Sequence, residues 1–323
     1  MKIKALSLLS GGLDSTLATK LVYDLGIELE AIYFYTIFCT CNRGGNGCGF
    51  YARNITRQLN IPLKMVNTTE EYLKIVRSPK FGYGSNLNPC IDCRIFIFKK
   101  AKEYMREREA KFIVTGEVLG ERPMSQNLRS LKLIEKEAGL EGLVLRPLSA
   151  RLLEPTIPEK EGWVEREKLL NLQGRSRKPQ MRLAKEWGIN DYPCPAGGCL
   201  LTDPIFSQRV KDLLEHDELD LENVKILKFG RYFRLSPKLK LVIGRNAEDN
   251  ERLLNSAQPK DLILQVMDTP GPVALARGEE IEKFIEEISQ KVATYADKVN
   301  GEVKLLLLRK TPPLKEIKIV SQG

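Results

Sequence analysis

Apolar runs occupy residues 3–9, 29–36, 63–67, 111–115 and 143–147. Between them, near 14–25, 49–59, 70–77 and 91–109, apolar residues recur every three or four positions. Short buried strands alternating with helical periodicity predict an α/β fold, a doubly wound parallel sheet with ligands at the carboxyl ends of its strands. Residues 149–199 read as largely helical. From Leu200 the pattern changes. Helices are predicted at 205–215, 220–226, 246–256 and 279–297, and strands near 231–235, 239–243, 262–267, 303–309 and 316–320. The expectation is a domain over 1–199 and a second, smaller α+β domain over 200–323.

The first strand runs directly into Ser10-Gly11-Gly12-Leu13-Asp14-Ser15. The glycines let backbone N–H groups turn toward an anion, and Asp14 and Ser15 open a helix whose N-terminus adds partial positive charge. No Gly-Lys-Ser/Thr step follows, which excludes an ordinary Walker A loop. A tight turn is the plainer reading of Gly-Gly after a strand. The stretch S-G-G-x-D-S resembles the pyrophosphatase-type loop of the PP-loop ATPases. That resemblance implies ATP cleavage between the α- and β-phosphates, with Mg²⁺ on the phosphates, and Ser10, Gly11, Gly12, Asp14 and Ser15 as the nucleotide cradle.

Bulk composition narrows the class. The net charge of +9 suits a polyanionic partner or simple solubility. Seven cysteines argue for metal or sulfur chemistry in a reducing compartment. No apolar stretch reaches membrane-spanning length, and Met1-Lys2-Ile3 leads straight into a strand. A cytoplasmic protein with no membrane partner is therefore expected. His216 is the single histidine, so histidine metal sites and Ser-His-Asp triads are close to excluded.

Thr115-Gly116-Glu117 follows another predicted strand. Gly116 would admit a nucleotide base, and Glu117 would accept a hydrogen bond or bind Mg²⁺; a simple strand-ending turn is the alternative. The stretch from Val114 through Gln126 to Leu128, followed by Leu145-Arg-Pro-Leu148, resembles the tRNA 4-thiouridine synthetases. Gly116, Glu117 and Gln126 then fall on the nucleotide side of the site. By that resemblance the product is 4-thiouridine at position 8. The common bacterial form places an RNA-binding region before the ATPase, and this sequence begins at the ATPase.

Cys90-Ile-Asp92-Cys93 heads an amphipathic helix, where the helix N-terminus favours thiolates. Two buried structural cysteines are the plainer reading. The pattern N-P-C-x-x-C, with Gly198-Cys199-Leu200 downstream, is similar to the tRNA 2-thiouridine synthetases. Related thiolases hold a [4Fe–4S] cluster on three cysteines, which implies Cys90, Cys93 and Cys199; Cys194 is an alternative third ligand. Without a cluster, a persulfide on Cys199 or Cys194 is the route, resolved by Cys90 or Cys93. Cys39, Cys41, Cys48 and Cys194 make a candidate Zn²⁺ quartet. Asp92 is either a base or a helix N-terminal counter-charge. No sulfur-carrier domain is visible, so the donor is sulfide or an external persulfide carrier such as a cysteine desulfurase.

Arg175, Arg177, Lys178 and Arg182 form a basic cluster, read as a tRNA contact or a solvated helix face. Between Lys225 and Arg245 lie seven basic residues and no acidic one: Lys225, Lys228, Arg231, Arg234, Lys238, Lys240 and Arg245. Phe229, Tyr232 and Phe233 are interleaved with them. Charge for phosphate and rings for stacking suit RNA. Gly230 to Leu235, Lys240 to Asn246 and Thr269 to Leu275 resemble the RNA-binding domain of the fibronectin-binding-like ribosome quality-control factors. Helix 279–297 offers a homodimer surface. Together these readings indicate an ATP-dependent tRNA thiouridine synthetase. A non-enzymatic RNA-binding factor and a PP-loop ligase for a small metabolite are the rivals.

Overall fold

The computed structural model describes residues 2–40, 48–190, 192, 198–297 and 301–321, with Cys48 described for its backbone alone. The chain divides into two compact units, Met1–Asp203 and Pro204–Gly323.

In the first unit, strands β1 (Lys4–Leu8), β2 (Glu28–Tyr35), β3 (Leu63–Asn67), β4 (Phe112–Thr115) and β5 (Val144–Leu145) form one parallel sheet, ordered β3-β2-β1-β4-β5. Helices α1 (Leu13–Asp24), α2 (Cys48–Leu59), α3 (Thr69–Arg77), α4 (Cys90–Glu107), α5 (Leu128–Ala138), α6 (Ile157–Lys160) and α7 (Lys178–Glu186) complete it. Strand alternation feeds two cores. Ala5, Phe112 and Val114 join Leu17 and Val22 of α1 and Ala184 of α7. Leu6, Leu8 and Ile113 join Phe98 and Ala101 of α4 and Ile134 of α5. The strand order reverses between β1 and β4, which opens a crevice beyond their carboxyl ends.

The second unit is a six-stranded antiparallel sheet flanked by helices. It contains α8 (Pro204–Glu215), α9 (Leu221–Leu227), β6 (Arg231–Ser236), β7 (Leu239–Ile243), α10 (Ala247–Asn255), β8 (Leu262–Val266), β9 (Val273–Gly278), α11 (Ile285–Ala293), β10 (Glu302–Arg309) and β11 (Leu314–Ser321). The sheet order is β11-β10-β8-β9-β7-β6.

Four expectations change. Residues 149–177 hold only α6 and two 3-10 turns, because Pro155, Pro158, Gly162 and Gly174 interrupt helical hydrogen bonding. Helix α5 lies between the two stretches read as motifs, where no element is predicted; Asn127 Oδ1 caps it by accepting from Ser130 N at 2.9 Å, and Gly139 ends it with φ 63°. Strand β9 (Val273–Gly278), for which no strand is predicted, takes in the end of the Thr269 to Leu275 stretch. The helix predicted at 279–297 is a 3-10 turn (Ile281–Phe284) and the shorter α11, whose Ile288, Val292 and Ala293 are buried in the unit's own core. That apolar face is already covered, so it offers no homodimer surface.

Candidate active site

Helix α1 begins at a bend fixed by its own loop. Gly11 has φ 78°, a left-handed value that glycine adopts without strain. Gly12, the N-cap, supplies no side-chain acceptor, so the cap leaves N–H groups for an anion. Ser15 Oγ donates to Gly12 O at 2.9 Å and lies 3.0 Å from Ser10 Oγ. Deeper down, Ser7 Oγ and Thr19 Oγ1 meet at 2.7 Å and tie β1 to α1.

Gly116, just past β4, abuts this loop. A Cβ there would lie 2.5 Å from the carbonyl carbon of Asp14 and 2.6 Å from Ser15 Cα. The close approach of the protein's own backbone therefore already demands glycine here. The expectation for Glu117 is corrected. It is 2% exposed, and its carboxylate is held by Arg94 at 2.8 Å and by Arg146 at 2.9 Å. Burial alone would raise its pKa, but the two guanidinium groups outweigh it and hold Glu117 below the ordinary value. With both oxygens engaged, Glu117 braces β4 against α4 and β5 rather than binding Mg²⁺. Gln126 Oε1 accepts from Arg122 N at 3.2 Å and pins the turn that follows.

The acidic group without full partners is Asp14. Its Oδ1 is buried and makes no hydrogen bond, and Arg177 Nη1 stands 3.4 Å from Oδ2. Burial raises the Asp14 pKa against the opposing charges of Arg177 and Arg122. Glu121 is raised by burial and by Asp14, and it also pairs with Arg177. Arg177 thus lies at the phosphate loop, engaged with two carboxylates, and is not an outward RNA contact. Arg175 and Lys178 flank it in sequence.

The cysteines come to the same place. Helix α4 begins after Pro89, with Cys93 N donating to Pro89 O at 2.8 Å. Residues 38–40 and 198–200 are laced together: Leu200 N donates to Phe38 O at 2.8 Å, Thr40 Oγ1 to Gly198 O at 2.8 Å, and Cys39 and Cys199 face each other in an antiparallel bridge. One cavity of about 300 Å³ is lined by Ser10, Gly12, Asp14, Ser15, Gly116, Gln126 and Arg177, and also by Cys39, Cys90, Cys93 and Cys199. Burial, then the Cys90 charge, pushes the Cys93 thiol up to about 11; burial also pushes Cys199 up to about 12. Tyr72, 2% exposed, hydrogen-bonds Cys93 from the cavity wall.

Asp92 does not line this cavity. Its carboxylate accepts from Lys80 N at 2.9 Å and Phe81 N at 3.0 Å, so it clamps the preceding loop and is not a base. Among the described residues no three His, Cys, Asp or Glu already form a metal cage. Cys41 and Cys194 of the candidate zinc quartet lie outside the described residues, as does the side chain of Cys48. Sequence reasoning placed Cys39 with them and missed its pairing with Cys199, which only the tertiary bridge reveals. It also missed Tyr72, which reads as one apolar position of an amphipathic helix.

Residues 1–151 match the family model described as thiamine biosynthesis protein (ThiI). Residues 230–321 match that of the NFACT protein RNA binding domain. The first stretch is thus similar to ThiI and the second to an NFACT RNA-binding domain. The ThiI part is 33% identical over 148 residues to a probable tRNA sulfurtransferase of Ureaplasma urealyticum, covering 45% of this chain and 36% of that protein. It is 34% identical over 146 residues to one of Lysinibacillus sphaericus, covering 45% and 34%. The chain thus spans about a third of the length of these curated relatives. Similar solved structures include a 4-thiouridine synthetase–RNA complex with bound ATP (TM-score 0.41, 21% identity, 70% of this chain and 52% of that one). Another is the U34-tRNA thiolase NcsA from Methanococcus maripaludis with its [4Fe–4S] cluster (TM-score 0.35, 18% identity, 70% of each chain).

In the second unit the basic hairpin is largely neutralised by acids, some local and others from elsewhere in the fold. Lys240 is 2% exposed and pairs with Glu218 at 2.8 Å. Arg234 is held by Asp212 at 2.5 Å and by Glu218, and the Tyr232 hydroxyl donates to Asp212. Arg245 pairs with Asp249, Lys238 with Glu279 and Lys225 with Glu222. Lys240, Arg234 and Tyr232 are corrected from RNA contacts to an internal polar network.

Proposed function

We propose that the chain is an ATP-dependent tRNA sulfurtransferase that adenylates a uridine carbonyl oxygen and exchanges it for sulfur. By the resemblance drawn above, the product is 4-thiouridine at position 8. The observation that carries this reading is the shared cavity: the phosphate loop and four thiols line one chamber. The activated base need not leave to meet sulfur, which shortens its exposure to the water that would return the uridine.

The N–H groups of the Ser10–Ser15 loop would receive the ATP phosphates. Mg²⁺ fits beside Asp14, whose buried oxygen lacks a partner, and would neutralise phosphate charge. The uracil oxygen attacks the α-phosphorus, pyrophosphate leaves, and a sulfur nucleophile displaces AMP, which departs with that oxygen. Cys90, Cys93 and Cys199 are a soft donor set that would hold a [4Fe–4S] cluster, which would supply the sulfur nucleophile. The chain's own contribution is positional: Tyr72 orients Cys93, and Ser125 Oγ accepts from Cys90 Sγ at 3.2 Å. The sulfur donor is sulfide or an external persulfide carrier. Zinc on the 39–48 loop and Cys194 belongs to the same reading, as does a cytoplasmic setting; among the described residues no helix is long and apolar enough to cross a membrane.

The test is anaerobic incubation of iron-reconstituted protein with unmodified tRNA, ATP, Mg²⁺ and sulfide, followed by digestion and mass spectrometry against thionucleoside standards. 4-Thiouridine is the expected product. The C-x-x-C pattern supports 2-thiouridine as a second reading, which the same chromatogram separates. ATP consumption indifferent to tRNA would favour a metabolite ligase, and RNA binding without ATP consumption a non-enzymatic factor.

A further inference from the structure

In the second unit, Arg231 of the basic hairpin is engaged with an aromatic ring rather than a carboxylate. Arg231 opens β6, the strand at one edge of the sheet, and its guanidinium lies 4.4 Å from the ring centroid of Tyr295. Two residues along the strand, and so on the same face, Phe233 sits 6.4 Å from Tyr295 between ring centroids. Lys291 on α11 places Nζ 5.4 Å from the Phe233 centroid, with Glu287 3.8 Å away on the same helix. Tyr295 is 40% exposed, unusual for a ring bracketed by a cation and a second aromatic.

Five of the seven basic residues between 225 and 245 are held by carboxylates, whereas Arg231 lies against a ring and donates to Gly244 O at 3.5 Å. Residues 204–323 contain 20 Lys or Arg against 19 Asp or Glu, so bulk charge gives this unit little long-range pull on a polyanion. Recognition by such a surface has to be short-range, through stacking with a local cation for the phosphate.

We propose that Arg231, Phe233, Lys291 and Tyr295 form the RNA contact of this unit. An unpaired nucleotide stacks its base on the layered Arg231–Tyr295 pair and sets its phosphate against Lys291. The inference rests on reading residues 230–321 as an RNA-binding domain. A solvated stacking pair that merely caps the core is the competing account.

The test uses the full chain and fluorescence anisotropy with a labelled 12-nucleotide oligouridine, a blunt RNA duplex and an oligoglutamate peptide. Tyr295→Ala and Arg231→Ala are each expected to weaken oligouridine binding by about 5- to 100-fold, the scale of one lost base stack. Tyr295→Phe should retain affinity, and Lys238→Ala should match the wild type. A Tyr295→Trp chain should lose indole emission as oligouridine binds, an effect a core-capping role would not produce. Wild-type affinity in both alanine variants, with no quenching, would overturn the patch while leaving the RNA-binding reading intact. Failure of the wild type to bind any RNA would overturn that reading as well. Preference for oligoglutamate over RNA would make the patch a protein contact.

Discussion

The two units treat their polar groups in opposite ways. Residues 1–203 carry 31 Lys or Arg against 23 Asp or Glu, so nearly all of the +9 charge belongs to the first unit. That unit also leaves polar groups unspent around one cavity: Asp14 Oδ1 without a partner, a helix N-terminus without a side-chain cap, and buried thiols. The second unit is near neutral and holds many of its cations on carboxylates, two of them buried: Lys240 on Glu218 and Arg277 on Asp261 at 2.7 Å. Unspent groups mark where chemistry or a ligand belongs, and spent ones mark where the fold is held. A basic run in sequence does not distinguish them.

The largest effects should come from breaking the frame of the first unit. Gly116→Ala forces a methyl group into backbone, which cannot yield as a side-chain tip would; about 3 kcal/mol or more is expected. That corresponds to a fall of roughly 6–12 °C in the unit's melting temperature by calorimetry. Glu117→Gln leaves Arg94 without its carboxylate and buried Arg146 with Glu135 alone, and should cost about 3 kcal/mol in denaturant titration. Because the folded Glu117 pKa is lowered, its contribution is present above the unfolded value near 4.5 and is lost as pH falls through the folded one.

Next in size are losses of chemistry without loss of fold. Replacing Cys90, Cys93 or Cys199 with Ser should lower thiolation on the order of 10³-fold while nucleotide binding by calorimetric titration persists. Cys39→Ser sharpens the comparison: placed in the cavity wall, it should depress thiolation too, whereas a remote zinc ligand would act only through stability.

Asp14 should behave oppositely to Glu117. Its folded pKa is raised, so the folded state holds the proton more tightly, and stability declines as pH rises from the unfolded value near 3.8 through the folded one. Asp14→Asn should therefore melt no lower than the wild type at neutral pH while losing most ATP turnover. The smallest effect is expected at Lys240: Lys240→Met should leave RNA affinity within about twofold, since its ammonium never reaches solvent.

Much of this was legible from local signals. Strand and helix alternation gave the parallel sheet, because period and length are written residue by residue, as in Lys4–Leu8 followed by Leu13–Asp24. The phosphate loop and the Cys90–Cys93 pair were legible because their chemistry depends on contiguous spacing. Helix α5 was legible in principle, with Asn127 to start it, Leu131 and Ile134 on one face and Gly139 to end it, but it falls between the two motif stretches, where no element is predicted. Charge pairing was not legible. Asp212 lies 22 residues from Arg234 and Glu279 41 from Lys238, and only the folded sheet brings them together. The Cys39–Cys199 bridge has the same character.

The central claim is that one chamber both activates the uracil oxygen and replaces it. Unmodified tRNA transcribed with ¹⁸O at uracil C4 tests it directly, under anaerobic turnover with ATP and sulfide, followed by mass spectrometry of AMP and of the digested nucleosides. The account expects one ¹⁸O in the AMP for each 4-thiouridine formed. AMP without label, at equal thionucleoside yield, would contradict it.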